Sequence, residues 1–340
     1  MRKLLLLFVV SFSFVLMSHA QEIKSARVIF YNTENFFDTI KDAKTDDAEF
    51  TPEGKAHWTS ERYQHKLDNI SKVLRIMTES VPPLFIGLSE IENIGVANDI
   101  ARQPNLRKYD LGVIEHDSPD PRGIDVALLY NKRLFSVIDT EFLTVKLPGS
   151  NWGTRDILYV KGTMNGVNLH LFVNHWPSRR GGQKSSEDKR CSAAMVVRNK
   201  IAQILLSDKN ARIIVMGDLN DNPSDSSITH VLGAIGPVGV MGQDNLYDLM
   251  VKPYHDGLFT LRYRGENDVF DQMIVNGNLI NSTSSIHIKG GSAHIYNVRW
   301  LLYDDLKYGL TPNRTYSGTL YHGGFSDHLP VYMDMEFGLN

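Results

Sequence analysis

The chain has 340 residues, 22% of them charged and 42% hydrophobic, with one cysteine and a formal net charge of −3. That balance excludes a protein that coats a duplex, because tight nonspecific binding draws on many Lys and Arg neutralising phosphates. A single cysteine, Cys191, excludes an intrachain disulfide, so folding must rest on a packed core.

Arg2 and Lys3 open the chain, an apolar run covers residues 4–17, and Ser18-His19-Ala20 precede the polar stretch from Gln21. This pattern predicts a signal peptide over residues 1–20, cleaved near Ala20. Its apolar core falls short of the roughly 18 residues a spanning helix needs. No Cys follows to take a lipid anchor, so a secreted or periplasmic protein with no stable membrane insertion is expected. Loss of Arg2 and Lys3 takes the net charge to −5, which keeps small phosphate esters in play as substrates. Residues 21–340 contain no Pro/Gly/Ser-rich linker and no repeat, and read as one domain.

Apolar, β-branched or aromatic runs at residues 26–31, 84–88, 124–130, 157–161, 168–174, 213–216, 269–275 and 331–336 read as buried strands. Amphipathic helices are predicted over residues 61–78, with Tyr63, Leu67, Ile70, Val73, Leu74 and Met77 on one stripe, and over 186–206. The mixture suggests two packed sheets with helices outside. Residues 42–60 read as a surface loop, and residues 282–321 as a long insertion of functional or disordered kind.

The chemistry-bearing residues close these strands: Asn32 after Tyr31, Glu90 and Glu92 after Leu88, Asn174-His175, Gly217-Asp218-Leu219-Asn220-Asp221, Asp271 after Phe270, and Ser326-Asp327-His328. Carboxylate and amide oxygens without cysteine suit a hard ion such as Mg²⁺, Mn²⁺ or Ca²⁺, and two histidines beside them supply acid, base or charge stabilisation. Phosphodiester hydrolysis uses this combination. No Gly-rich phosphate loop or Gly-x-Ser-x-Gly elbow is present. Any one of these motifs alone reads as a turn; their joint order carries the inference.

In that order, Asn32, Glu90, Asn174-His175, Gly217-Asp218-Leu219-Asn220 and Ser326-Asp327-His328 resemble the endonuclease/exonuclease/phosphatase superfamily, which includes pancreatic deoxyribonuclease, abasic-site endonucleases, neutral sphingomyelinases and inositol-polyphosphate phosphatases. The resemblance spans nearly the whole mature chain. It implies an α/β fold, a four-layer sandwich of the deoxyribonuclease type with two packed mixed β-sheets flanked by helices. It implies metal at Asn32, Glu90 and Asp327, with Glu90 the principal ligand. Asp218 and Asn220 would orient water and hold a phosphoryl oxygen, and His328 would contact the scissile phosphate with Asp271 behind it. His175 stands where the deoxyribonuclease has His and could protonate the leaving oxygen. Glu34 stands where abasic-site enzymes place Asp, and Glu92 competes with Glu90; either could touch metal.

Arg179, Arg180, Lys184, Lys189 and Arg190 form a basic run that reads equally as a solvated face or as a phosphate-steering lip, with Arg122 a further candidate for steering. Trp176 reads as packing and Cys191 as an inert buried thiol. The leading expectation is a secreted, monomeric nuclease hydrolysing nucleic acid with Mg²⁺ or a similar ion. The alternatives are a phosphatase or sphingomyelinase-type esterase on small phosphate or lipid head groups, and a binding module without catalysis.

Overall fold

The computed structural model describes residues 23–150, 153–239, 241–281 and 284–338, so the expected leader lies outside the described residues. The chain runs through β1 (Ile23–Phe36), α1 (Ser60–Met77), β2 (Pro83–Ile91), α2 (Ile94–Ala101), β3 (Leu111–Glu115), β4 (Asp125–Asn131), β5 (Ser136–Leu143), β6 (Ile157–Met164), β7 (Val167–His175) and α3 (Gln183–Ser207). It continues through β8 (Arg212–Asp218), β9 (Ala234–Ile235), β10 (Leu246–Asp248), α4 (Val251–His255), β11 (Leu261–Tyr263), β12 (Glu266–Asp268), β13 (Asp271–Asn276) and α5 (Gly277–Ile280). The last elements are β14 (Ile286–Ile288), β15 (His294–Ile295), β16 (Leu302–Asp305), β17 (Gly309–Pro312), β18 (Tyr316–Ser317), β19 (Leu320–Tyr321) and β20 (Val331–Gly338).

Two mixed sheets of seven strands dominate. One is ordered β14-β20-β1-β2-β4-β3 with β15 also on β20; the other is ordered β5-β6-β7-β8-β13-β10-β9. Their inner faces share one core, in which Phe30, Phe85 and Leu128 of the first sheet meet Val160, Leu171 and Met216 of the second. The approach is close: a Cβ at Gly87 of β2 would stand 2.9 Å from the Met216 side chain of β8.

The helices cover the outer faces, giving the expected four layers. On α1, Leu67, Ile70, Val73, Leu74 and Met77 are buried as the stripe predicts, and the Thr59 side chain caps the first turn. On α3, Ala193, Ala194, Val197, Ile201 and Ile204 pack on a second cluster with Ile213, Val215 and Phe172.

The 282–321 stretch is not a structureless loop. It contributes β14 and β15 to an edge of the first sheet and then forms two hairpins, β16–β17 and β18–β19. Sequence reasoning found no strand there because these strands are two to four residues long, too short to show a period.

Candidate active site

Strand register brings several of the motif residues side by side. Parallel pairing of β1 with β2 sets Asn32 beside Ser89, and parallel pairing of β7 with β8 sets Asn174 beside Gly217 and His175 beside Asp218. Antiparallel pairing of β8 with β13 then sets Asp271 beside Asp218. At Gly217 a Cβ would lie 2.5 Å from the Asn174 carbonyl oxygen, so only glycine lets the two strands close here. Glu34, Asn35, Glu90 and Asn220 all have φ between 47° and 58°, a left-handed conformation uncommon for side-chain-bearing residues and concentrated in strained, functional turns.

Asp218 is the hub. Its carboxylate accepts from Asn32 Nδ2 at 2.9 Å and from the Asn220 amide at 3.0 Å, while Ser326 Oγ donates to the Asn32 carbonyl at 2.7 Å and ties in the last motif. His328 Nδ1 bonds Asp271 Oδ2 at 2.6 Å, and its Nε2 faces Asp218 Oδ2 at 3.7 Å. Burial works against the His328 imidazolium but is outweighed by the carboxylates of Asp271 and Asp218, which hold its pKa well above the usual range. Burial raises the Asp218 carboxyl, with His328 pulling it back. His175 has the opposite fate: burial, then Arg155, Arg122 and His328, push its pKa well down, so its imidazole is neutral.

The remaining pairs are telling for their length. His175 Nε2 lies 3.6 Å from Asp218 Oδ2 and 3.9 Å from Glu90 Oε1. Arg122 lies 4.0 Å from Glu90 Oε2, and Arg314 lies 3.6 Å from Asp327 Oδ2. None of these pairs reaches hydrogen-bond distance. The polar groups therefore converge on shared space rather than on one another.

The sequence model of the endonuclease/exonuclease/phosphatase family matches residues 27–337. This chain belongs to that family. The family's members are metal-dependent phosphoesterases, and the chain is accordingly a hydrolase of phosphoric ester bonds. Solved structures share the fold at low identity. A family protein from Bacteroides thetaiotaomicron is 15% identical, covers 94% of this chain and 100% of its own, and has a TM-score of 0.56. D. rerio TDP2 in complex with a single-strand DNA product gives 15%, 92%, 98% and 0.53, and a mannosyl-6-phosphatase of B. thetaiotaomicron gives 16%, 91%, 99% and 0.53. No curated protein sequence matches.

The donor set of this family member fits a hard divalent ion. The available donors are carboxylates, an amide and imidazoles, the chemistry that suits such an ion, and Asp271 has one buried oxygen, Oδ1, with no hydrogen-bond partner. Oxygens or nitrogens of Asp218, Asp271 and His328 lie within 4.8 Å of one another. Glu90 and Asp327 border the same space with side chains 14% and 27% exposed, open enough for a hydrated ion. Asn32 is more committed than the resemblance implies, because its Nδ2 holds Asp218 and its Oδ1 accepts the Glu34 amide at 2.9 Å. It positions Asp218 first.

Several expectations need correction. Arg190 is wholly buried: Nε meets Asp221 Oδ2 at 2.7 Å and its other nitrogens bind Ser186 Oγ and the Gln183 carbonyl, so it cannot reach a substrate. Arg179 is spent on Asp225 at 2.5 Å, Asp221 at 3.2 Å and the Asn220 carbonyl at 2.9 Å. These two arginines are therefore taken up by internal ion pairs, while Arg180 and Lys184 of the same run are exposed. Glu92 turns away to accept the Asp38 amide, and burial pushes it up to about 8. Glu34 accepts the amides of Thr315 at 2.6 Å and Tyr316 at 3.1 Å, anchoring the insertion. For His175, burial and then Arg155 work against the protonated form that a leaving-group acid needs. Cys191 is half-buried rather than buried. Trp176 packs as expected, 1% exposed.

Three cations escaped sequence reasoning. Lys66 of α1 is buried beneath the site, donating to Thr315 Oγ1 and the Phe325 carbonyl. Burial lowers its pKa against the pull of Glu34, Asp327 and Glu90. Arg155 pairs with Asp120 at 2.9 Å and holds the His175 and Trp176 carbonyls. Arg314 faces Asp327. Lys66 on a helix's apolar stripe was the one visible signal, since a charge there needs a buried partner.

Proposed function

We propose that the protein is an exported, Mg²⁺-, Mn²⁺- or Ca²⁺-dependent phosphodiesterase acting on small or single-stranded phosphodiesters rather than on duplex DNA. The observation that carries this reading is the ring of unclosed pairs at 3.6–4.0 Å around Glu90, Asp218, His175 and His328. Such a space takes a phosphate and an ion between groups already aimed at it, which is electrostatic preorganisation. A smaller substrate is favoured because Arg179 and Arg190, two cations of the candidate steering lip, are internally paired. Export is supported by the 1–20 pattern.

Glu90 and Asp327 would hold the ion, which would supply neutralisation of the charge that grows on the phosphoryl oxygens. Asp218, fixed by Asn32 and the Asn220 amide, accepts a proton from water as its oxygen adds to phosphorus. His328, kept as an imidazolium by Asp271, donates its proton to the departing oxygen. His175, neutral, orients through Nε2. The alcohol leaves with one proton and the phosphate keeps the water oxygen.

Hydrolysis of bis-p-nitrophenyl phosphate, single-stranded and plasmid DNA, sphingomyelin and sugar phosphates by the purified protein tests this, with each metal and with chelator. Metal-dependent diester turnover, absent in His328→Ala and Glu90→Ala and stronger on single strands than on duplex, is the expected result. Turnover of monoesters alone, or of duplex by preference, would overturn the substrate assignment.

A further inference from the structure

Next to the catalytic centre the insertion and the β11–β12 hairpin enclose a cavity of about 350 Å³, at the lower end of ligand-pocket sizes. Arg262, Arg264 and Arg314 line it together with Tyr263, Tyr303 and Tyr308. It adjoins the site at two points. Arg314 stands 3.6 Å from Asp327, and Leu261, the residue before Arg262, bridges the backbone of His328.

Its charge is unbalanced. Arg262 donates to the carbonyls of Leu310 at 3.0 Å and Gly265 at 3.3 Å, and among the described residues neither it nor Arg264 forms an ion pair. Arg264 is exposed, with φ of 53° and its guanidinium 5.1 Å from the Tyr263 ring. The one lining acid, Asp305, already accepts the amides of Lys307 and Tyr308. Tyr263 and Tyr303 are 55% and 51% exposed, the first flanked by the Arg264 guanidinium and the second by the His322 ring at 6.4 Å, so each keeps ring surface open to a ligand. Guanidinium forks recognise anions, and open aromatic faces stack on rings.

We propose that this cavity receives the group attached to the scissile phosphate, and that this group is a ring carrying a negative charge of its own, such as a phosphorylated nucleoside or a phosphorylated sugar. The inference deepens the phosphodiesterase reading and rests on it for the position of the scissile phosphate. It accounts for the insertion as a specificity element, since both its hairpins and Arg314 face the same space.

Calorimetric titration of the whole protein in EDTA reads the cavity without turnover, using thymidine 3′,5′-bisphosphate, glucose 1,6-bisphosphate and inorganic phosphate. At least one ring bisphosphate should bind more tightly than inorganic phosphate. Arg264→Ala should weaken it about 10-fold, the size of a charge-assisted hydrogen bond moderated by solvent, and Arg264→Lys should recover part of the loss. Tyr303→Ala should weaken the ring compounds and leave inorganic phosphate less affected. Preference for the thymidine compound assigns a nucleotide, and preference for the glucose compound a sugar phosphate. Equal affinity for all three probes, or equal affinity in parent and variants, would overturn the proposal. Failure of the phosphodiesterase reading shows separately, as absent turnover of bis-p-nitrophenyl phosphate.

Discussion

Arg190→Ala separates an internal strut from a substrate contact. The arginine is 0% and Asp221 1% exposed, with Nε–Oδ2 at 2.7 Å. Removing one partner of a buried pair strands the other charge, at a cost of about 3–5 kcal/mol. Asp221 retains Ser227 Oγ at 2.6 Å and Arg179 at 3.2 Å, so the lower end, about 3 kcal/mol, is expected. With an unfolding entropy of about 2.1 cal/mol/K per residue, roughly 0.7 kcal/mol/K for a chain of this size, Tm should fall by about 4–5 °C. Urea denaturation followed by tryptophan fluorescence measures the loss, and steady-state kinetics on bis-p-nitrophenyl phosphate measures KM. Replacing both partners, as Arg190→Met with Asp221→Leu, should return much of the stability. A variant with parental stability and a raised KM would refute the reasoning and restore Arg190 as a phosphate contact.

Other outcomes follow from the same geometry. Asp248 is fully buried without a charged partner, its Oδ2 unpaired, and burial pushes it up to about 7. The folded state then holds a proton the unfolded chain releases near 3.8, so this group's stabilisation is present at low pH and lost as pH rises from about 4 through about 7. Asp248→Asn should flatten the difference in unfolding free energy between about pH 5 and about pH 8, measured by denaturant titration; an unchanged difference would show that Asp248 ionises normally. Glu90→Gln should weaken Mn²⁺ binding by calorimetry by about 100-fold, at or beyond the cost of losing an outer-sphere partner, whereas parental affinity would move the ion elsewhere. Asp271→Asn should lower kcat about 100-fold with KM little changed, because it acts on His328 rather than on ground-state binding; a matching rise in KM would place it in substrate binding.

The buried strands and their reactive ends were legible because both follow from pattern: runs of Ile, Val, Leu and Phe closed by Asn, Asp or His, as at Ile213–Asp218 in β8. Edge strands were not. β3 is half-buried throughout and β5 mixes half-buried with exposed positions, so their mixed sequences carry no clean period. Gly217 could be placed in a motif, but its need for a bare Cα appears only with the Asn174 carbonyl against it. The basic run misled for a related reason. Sequence shows that Arg179 and Arg190 are cationic, whereas their partners Asp221 and Asp225 lie more than 30 residues on, and only tertiary folding reveals that the charges are already met. Lys66 and Arg314 join the site from a helix and from the short connection between β17 and β18, which no periodicity links to it.

The pairing of β1 with β20, from Ile23 against Gly338 to Phe30 against Val331, has a consequence for biogenesis. Asn32 lies just past this zipper on one strand and Asp327-His328 just before it on the other, almost the full chain apart in synthesis. A polypeptide emerging from its N-terminal end therefore carries an incomplete centre until its closing strand is delivered, and long-range pairing of this kind is slow to form. The centre is therefore incomplete while the chain is being made, and loss of the closing strand alone should leave the enzyme silent for good.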